Sequence, residues 1–99
     1  MTEAPVPVTV RMTEMLARHL DCQSNVTVDA NSLDDLLSEL DRRYPGFRDS
    51  VCDEAGKVRV YVNLFVNREL VASRPDALMS RLLDGDEVYI LASVAGGAR

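Results

Sequence analysis

One helix constrains this chain more than any other feature. Leu33, Leu36, Leu37, Leu40 and Tyr44 recur at i, i+3, i+4, i+7 and i+11, a single apolar stripe at helical period. Ser32 stands at the N-cap position, and Asp35 three residues later completes a capping-box-like pair with Asp in place of the longer Glu. Asp34 and Asp35 suit the positive end of the helix dipole, and Arg42 and Arg43 the negative end. Pro45-Gly46 stops the helix. A helix with one apolar stripe needs a cover, and most of the remaining chain is patterned as strands.

Val6 to Met12 alternates, with Val8, Val10 and Met12 on one side and Thr9 and Arg11 on the other, as in a half-buried strand. Pro7 lies near its start, where a missing N–H does least harm. Thr13 to Leu20 reads either as a helical turn carrying Met15, Leu16 and Leu20 or as an irregular continuation of the strand. Asp21 to Asn25 reads as a loop, and Val26 to Asp29 as a short second strand, antiparallel to the first. Beyond the helix, Phe47 and Val51 tuck a short irregular or helical stretch under the sheet, and residues 53–57 form a turn.

Val58 to Val66 reads as one long strand, with Val58, Val60, Val62, Leu64 and Val66 facing the core and Arg59, Tyr61, Asn63 and Phe65 facing outward. Asn67-Arg68-Glu69 is a tight turn into Leu70-Val71. Leu78, Met79, Leu82 and Leu83 follow Pro75-Asp76 at helical spacing, giving a short helix or 3₁₀ turn, and Asp84-Gly85-Asp86 launches a last strand through Val88, Tyr89, Ile90 and Leu91. The order predicts an α+β fold, a mixed sheet with the main helix across one face. In its core the leucine stripe packs on Val8, Val10, Val60, Val62, Val88 and Ile90. No stretch repeats internally, and no linker is evident.

Charge and composition narrow the chemistry. A net charge of −5 argues against nucleic acid as the main partner, because phosphate binding needs a basic surface, and suits docking on a basic patch of another protein. No apolar run is long enough for a transmembrane helix, and Met1-Thr2-Glu3-Ala4-Pro5 lacks the pattern of a signal peptide, so the expected location is the cytoplasm, away from membranes. Cys22 and Cys52 are too few and too far apart for a disulfide framework or a metal motif, and His19 has no partner at ligand spacing. The carboxylates at 34, 35, 39 and 41 lie on the solvated faces of the helix, which accounts for them without a metal or an acid/base pair.

The last residues, Ser93-Val94-Ala95-Gly96-Gly97-Ala98-Arg99, lose side-chain bulk and end in a glycine pair with almost nothing after it for a turn to connect. Such a segment is either a frayed end or a narrow tail. Without Cβ atoms, Gly96 and Gly97 let backbone approach a partner closely. Five extended residues from Ser93 to Gly97 reach about 17 Å, enough to thread a channel into another protein's active site.

Three pieces of the chain resemble one family: Val62-Asn63-Leu64-Phe65-Val66-Asn67, then Leu83-Asp84-Gly85-Asp86-Glu87-Val88 with Ile90, then Val94-Ala95-Gly96-Gly97. Together with the element order, they make the chain similar to the ubiquitin-like β-grasp sulfur carriers of the ThiS/MoaD/CysO group, nearest to the CysO branch. The likeness runs from Val8 to Gly97. It implies a β-grasp domain over residues 1–92 and a C-terminal tail over 93–99. It also implies a carrier rather than an enzyme, with no cofactor or metal of its own.

In that family a ubiquitin-activating-type adenylyltransferase/sulfurtransferase uses ATP to adenylate the carboxylate of the second glycine. A sulfur donor then displaces AMP and leaves a thiocarboxylate. The resemblance places that chemistry on Gly97, with Gly96 beside it and Val94 and Ala95 entering the partner. The recipient would be a sulfur-accepting enzyme of cysteine, cofactor or secondary-metabolite biosynthesis.

The chain departs from its relatives at two places. Ala92-Ser93 stands where many relatives carry proline. Ala98-Arg99 follows the glycines, so the free carboxylate is expected on Arg99, and a zinc metallopeptidase of the JAMM type would have to cut between Gly97 and Ala98. Tyr61 and Phe65, with Tyr89 and Leu91 of the last strand, are expected to point away from the helix as one apolar docking patch. Alternative readings are a protein modifier joined through Gly97 to lysines, the small subunit of a molybdopterin synthase, or an interaction domain whose tail is unused.

Overall fold

β1 (Val6–Met12) and β5 (Glu87–Ala92) lie side by side and parallel at the middle of a five-stranded sheet of order β2-β1-β5-β3-β4. The flanking elements are α1 (Glu14–His19), β2 (Asn25–Ala30), α2 (Leu33–Arg43), α3 (Phe47–Val51), β3 (Val62–Val66), β4 (Glu69–Leu70) and a 3₁₀ turn at Ala77–Met79. All other strand pairs are antiparallel. The computed structural model describes residues 4–21, 23–71 and 76–92. The sheet is mixed, one long helix packs on it, and the arrangement is that of a ubiquitin-like β-grasp.

α2 forms as its sequence dictates. The Ser32 side chain accepts from the Asp35 N–H at 3.1 Å, and the shorter Asp35 carboxylate reaches back to the N–H of Asn31 rather than to the cap residue itself. Leu33, Leu36, Leu37 and Leu40 are fully buried in one cluster with Val8, Val10, Val28, Val62, Leu64, Val88 and Ile90. Each such leucine contributes about 1.5–3 kcal/mol of transfer free energy. The Arg48 guanidinium joins α3 to α2 through Asp34 and Ser38, and its hydrogen bond to Asp34 raises its pKa further.

One open reading resolves and one expectation changes. The open choice at Thr13 to Leu20 resolves as helix α1, which buries Leu16 and Ala17. The long strand from Val58 does not form, and β3 starts only at Val62. Val62 N–H donates to Arg59 O at 2.9 Å, which closes a turn over residues 59–62. Val58 pairs instead with Cys52 in an isolated bridge, and Val60 sits at the turn, 99% exposed. Val60 is therefore not a core residue: alternation carried through a turn puts the middle residue in solvent.

The segment after Asp76 forms the expected short turn of helix, a single 3₁₀ turn at Ala77–Met79; of its apolar side chains Leu82 enters the core and Leu78 packs partly against it, while Met79 and Leu83 are exposed.

Candidate functional site

Two surfaces converge on the end of β5, where the chain leaves the described residues at Ala92. The first is the outward face of the sheet. β3 and β5 pair with Phe65 opposite Tyr89 and Asn63 opposite Leu91, while Val62, Leu64, Val88 and Ile90 alternate inward. Phe65 also faces Leu70 across β4, and Tyr89 faces Arg11 across β1. One row across four strands therefore reads Leu70, Phe65, Tyr89, Arg11, with Arg11 Nε held 3.2 Å from Glu87 Oε2. Phe65, Tyr89 and Leu91 line one shallow recess with Arg68 and Glu87.

Tyr61 is not part of that recess. It precedes β3, in the turn, and lines a separate hollow with Met15, Leu16, His19, Asp49, Arg59 and Ala92. The expected patch of four is thus divided. Phe65, Tyr89 and Leu91 stand together, and Tyr61 marks a second surface at the root of the tail. Leu70, Met15 and Val60 were not anticipated. The signals were faint: Leu70 is the end of a two-residue strand, and Met15 sits on a six-residue helix whose direction no periodicity could set.

The loop that starts β5 is tightly built. Gly85 takes a positive φ of 86°, which glycine reaches without strain, and its N–H donates to Pro7 O at 3.0 Å. Asp86 is fixed from both sides, accepting from the Leu83 N–H at 2.8 Å and from Asn67 Nδ2 at 2.8 Å. Two of the sequence pieces that carry the family resemblance, the one ending at Asn67 and the one holding Asp86, thus touch in space.

Cys52 is a free, buried thiol, and burial pushes its pKa up, which opposes a nucleophilic role. Among the described residues no group of three or more His, Cys, Asp or Glu side chains is placed to hold a metal ion. Nor, among the described residues, is any helix long and apolar enough to cross a membrane. The tail assignments, Val94, Ala95, Gly96, Gly97 and Ala98, and the boundary at residue 93, lie outside the described residues.

The family model of the ThiS family matches residues 17–97, and its match ends on Gly97. The chain belongs to the ThiS family. It is 35% identical over 92 residues to the sulfur carrier protein CysO of Mycobacterium tuberculosis, covering 91% of this chain and 98% of the relative.

The crystal structure of M. tuberculosis CysO superposes with a TM-score of 0.77 at 32% identity, covering 88% of this chain and 99% of that one. A chain of the Amycolatopsis orientalis BexX/CysO complex superposes at 0.78 with 28% identity, covering 91% of this chain and 99% of its own. The small archaeal modifier protein 1 of Methanosarcina acetivorans, at 20% identity and a TM-score of 0.78, shares the fold over 97% of this chain and 100% of its own.

Proposed function

We propose that this ThiS-family chain is a sulfur carrier, a macromolecular substrate rather than an enzyme, whose working atom is the carbonyl carbon of Gly97. The observation that carries the reading is its relation to sulfur carrier protein CysO over 98% of that relative's length, joined to a family match that ends on the second glycine. A fixed domain and a narrow end divide the labour: the sheet is recognised, and the glycines are delivered.

The chemistry follows from the residue type. A carboxylate is a poor electrophile. Its oxygen attacks the α-phosphorus of ATP on an activating enzyme of the ubiquitin-activating type, pyrophosphate leaves, and an acyl adenylate remains. A sulfur nucleophile then adds at the carbonyl carbon, AMP leaves, and a thiocarboxylate is formed. Glycine leaves that carbon sterically open. The sulfur, soft and anionic, is delivered to a biosynthetic enzyme, and the solved complex of a CysO relative with BexX supports action by docking on a partner.

At least Ala98 and Arg99 follow Gly97, so its carboxylate has to be released first. Cleavage of the Gly97–Ala98 bond by a metallopeptidase of the JAMM type is the step we assign to that release. Two extra residues displace the end of an extended chain by about 7 Å, well beyond the tolerance of a positioned reaction. The test is ATP-dependent activation of two forms, one ending at Gly97 and one carrying Ala98-Arg99. Activation of the first alone is expected, and efficient adenylation of the longer form at Arg99 would refute the precursor step.

A further inference from the structure

Seven large apolar side chains are exposed among the described residues, and three of them gather where β5 ends. Met15 (54% exposed) and Tyr61 (41%) line the hollow that also contains Ala92, and Val60, 99% exposed, lies in the turn between Arg59 and Tyr61, both of which line it. Its lining combines apolar Met15, Leu16 and Tyr61 with polar His19, Asp49 and Arg59. The turn that presents Val60 is held firmly: Arg59 N–H donates to Val51 O at 2.8 Å, Arg59 Nε to Asp49 O at 2.8 Å, and Val62 N–H to Arg59 O at 2.9 Å. A surface fixed in this way loses little entropy on binding.

What covers it follows from chain length. Gly97 is five residues past Ala92, so its carbonyl lies within about 17 Å of the hollow. An enzyme that brings catalytic groups to that carbonyl has to bring the mouth of its active site against the surface around Ala92. Leu91, in the sheet-face recess, and Ala92, in the lining of the hollow, are consecutive on β5 and alternate sides of the sheet, so the two surfaces are distinct and both lie at the root of the tail.

Resting on the carrier reading, we propose that Met15, Val60 and Tyr61 form a collar that receives an apolar side chain from the channel mouth of the adenylating enzyme that activates Gly97. The collar sets the distance between the domain and the channel, so that Gly97 stops at the adenylation site.

The experiment uses chains ending at Gly97 and measures ATP–pyrophosphate exchange by the cognate adenylating enzyme as carrier concentration is varied. Val60→Asp alone and Met15→Glu with Val60→Asp alter exposed side chains, and thermal unfolding checks that the fold is retained. Met79→Glu, also apolar and exposed but in the 3₁₀ turn and not in the lining of the hollow, is the control. The expected result is a KM raised about ten-fold by the double substitution, with kcat held and Met79→Glu without effect. An unchanged KM in both collar variants overturns the collar while leaving the carrier reading intact. No exchange with the unsubstituted chain overturns the carrier reading, and the collar falls with it.

Discussion

Asn67 donates through Nδ2 to Asp86 Oδ1 at 2.8 Å, across 19 residues of sequence. The same amide accepts from the Glu87 N–H at 3.0 Å, and the Asn67 N–H donates to Glu87 O at 2.8 Å. This clamp ties the β3–β4 turn to the start of β5, the strand that leads to the tail. Removing the Asn67 side chain should cost about 1–2 kcal/mol, because both hydrogen bonds go and a left-handed residue loses the side chain that tolerates that conformation. Asp86→Ala should cost about 1 kcal/mol, and the double variant less than the sum of the two. Urea unfolding of the three variants checks this, and full additivity would show that the pair is not coupled.

Arg68 follows at a φ of 75°, completing a two-residue hairpin turn in which both residues are left-handed. Glycine belongs in such a turn. Arg68→Gly should raise stability by about 0.5–1 kcal/mol, seen as a higher thermal midpoint. A lower midpoint would mean that the Arg68 side chain, beside Phe65 and Tyr89, stabilises the fold by more than its backbone strain costs.

The core and the turn at 59–62 give opposite expectations for two apolar residues. Leu36→Ala opens a cavity in a fully buried position and should cost about 2–5 kcal/mol. Val60→Ala, in solvent, should stay within about 0.5 kcal/mol of the parent. A large loss at Val60 would restore the long strand that its sequence suggests.

These residues also show how far the fold could be read in advance. The stripe of α2 and the alternation of β1, β3 and β5 are short-range patterns, so the helix, the inward valines and the outward Phe65 and Tyr89 were legible. The turn at 59–62 contains no Gly, Pro, Asn or Asp, and alternation ran through it unmarked. The clamp between Asn67 and Asp86 and the division of Tyr61 from Phe65 depend on strand register, which no local pattern states. The tail assignments rest on the glycines and the family match, since those residues have almost no side chains to make a site.

Cys52 supplies a pH dependence with a definite sign. Burial raises its pKa, so the folded chain keeps the thiol proton where the unfolded chain loses it. Stability is fully retained below the unfolded value of about 8.5 and declines as pH rises from there through the raised value. In a Cys22→Ser background, replacing Cys52 with Ala should remove that part of the alkaline slope, and Cys52 should react with a thiol reagent only on unfolding. Rapid labelling of the folded chain at neutral pH would contradict its burial.

The sheet-face row is expected to act in recognition and not in folding. Phe65→Ala and Tyr89→Ala should weaken binding of the Gly97-ended chain to its activating enzyme while leaving the fold intact, because aromatic anchors carry a large share of interface energy. Calorimetric titration measures this. Unchanged affinity in both variants would remove the row from the interface.

A carrier of this kind holds its sulfur on Gly97. Incubating the chain ending at Gly97 with ATP, the activating enzyme and a sulfide donor, then measuring its intact mass and sequencing its C-terminal peptide, tests that claim directly. The expected result is a gain equal to the replacement of one oxygen by sulfur, localised to Gly97. An unchanged mass, or larger adducts joined to lysines through Gly97, would contradict it.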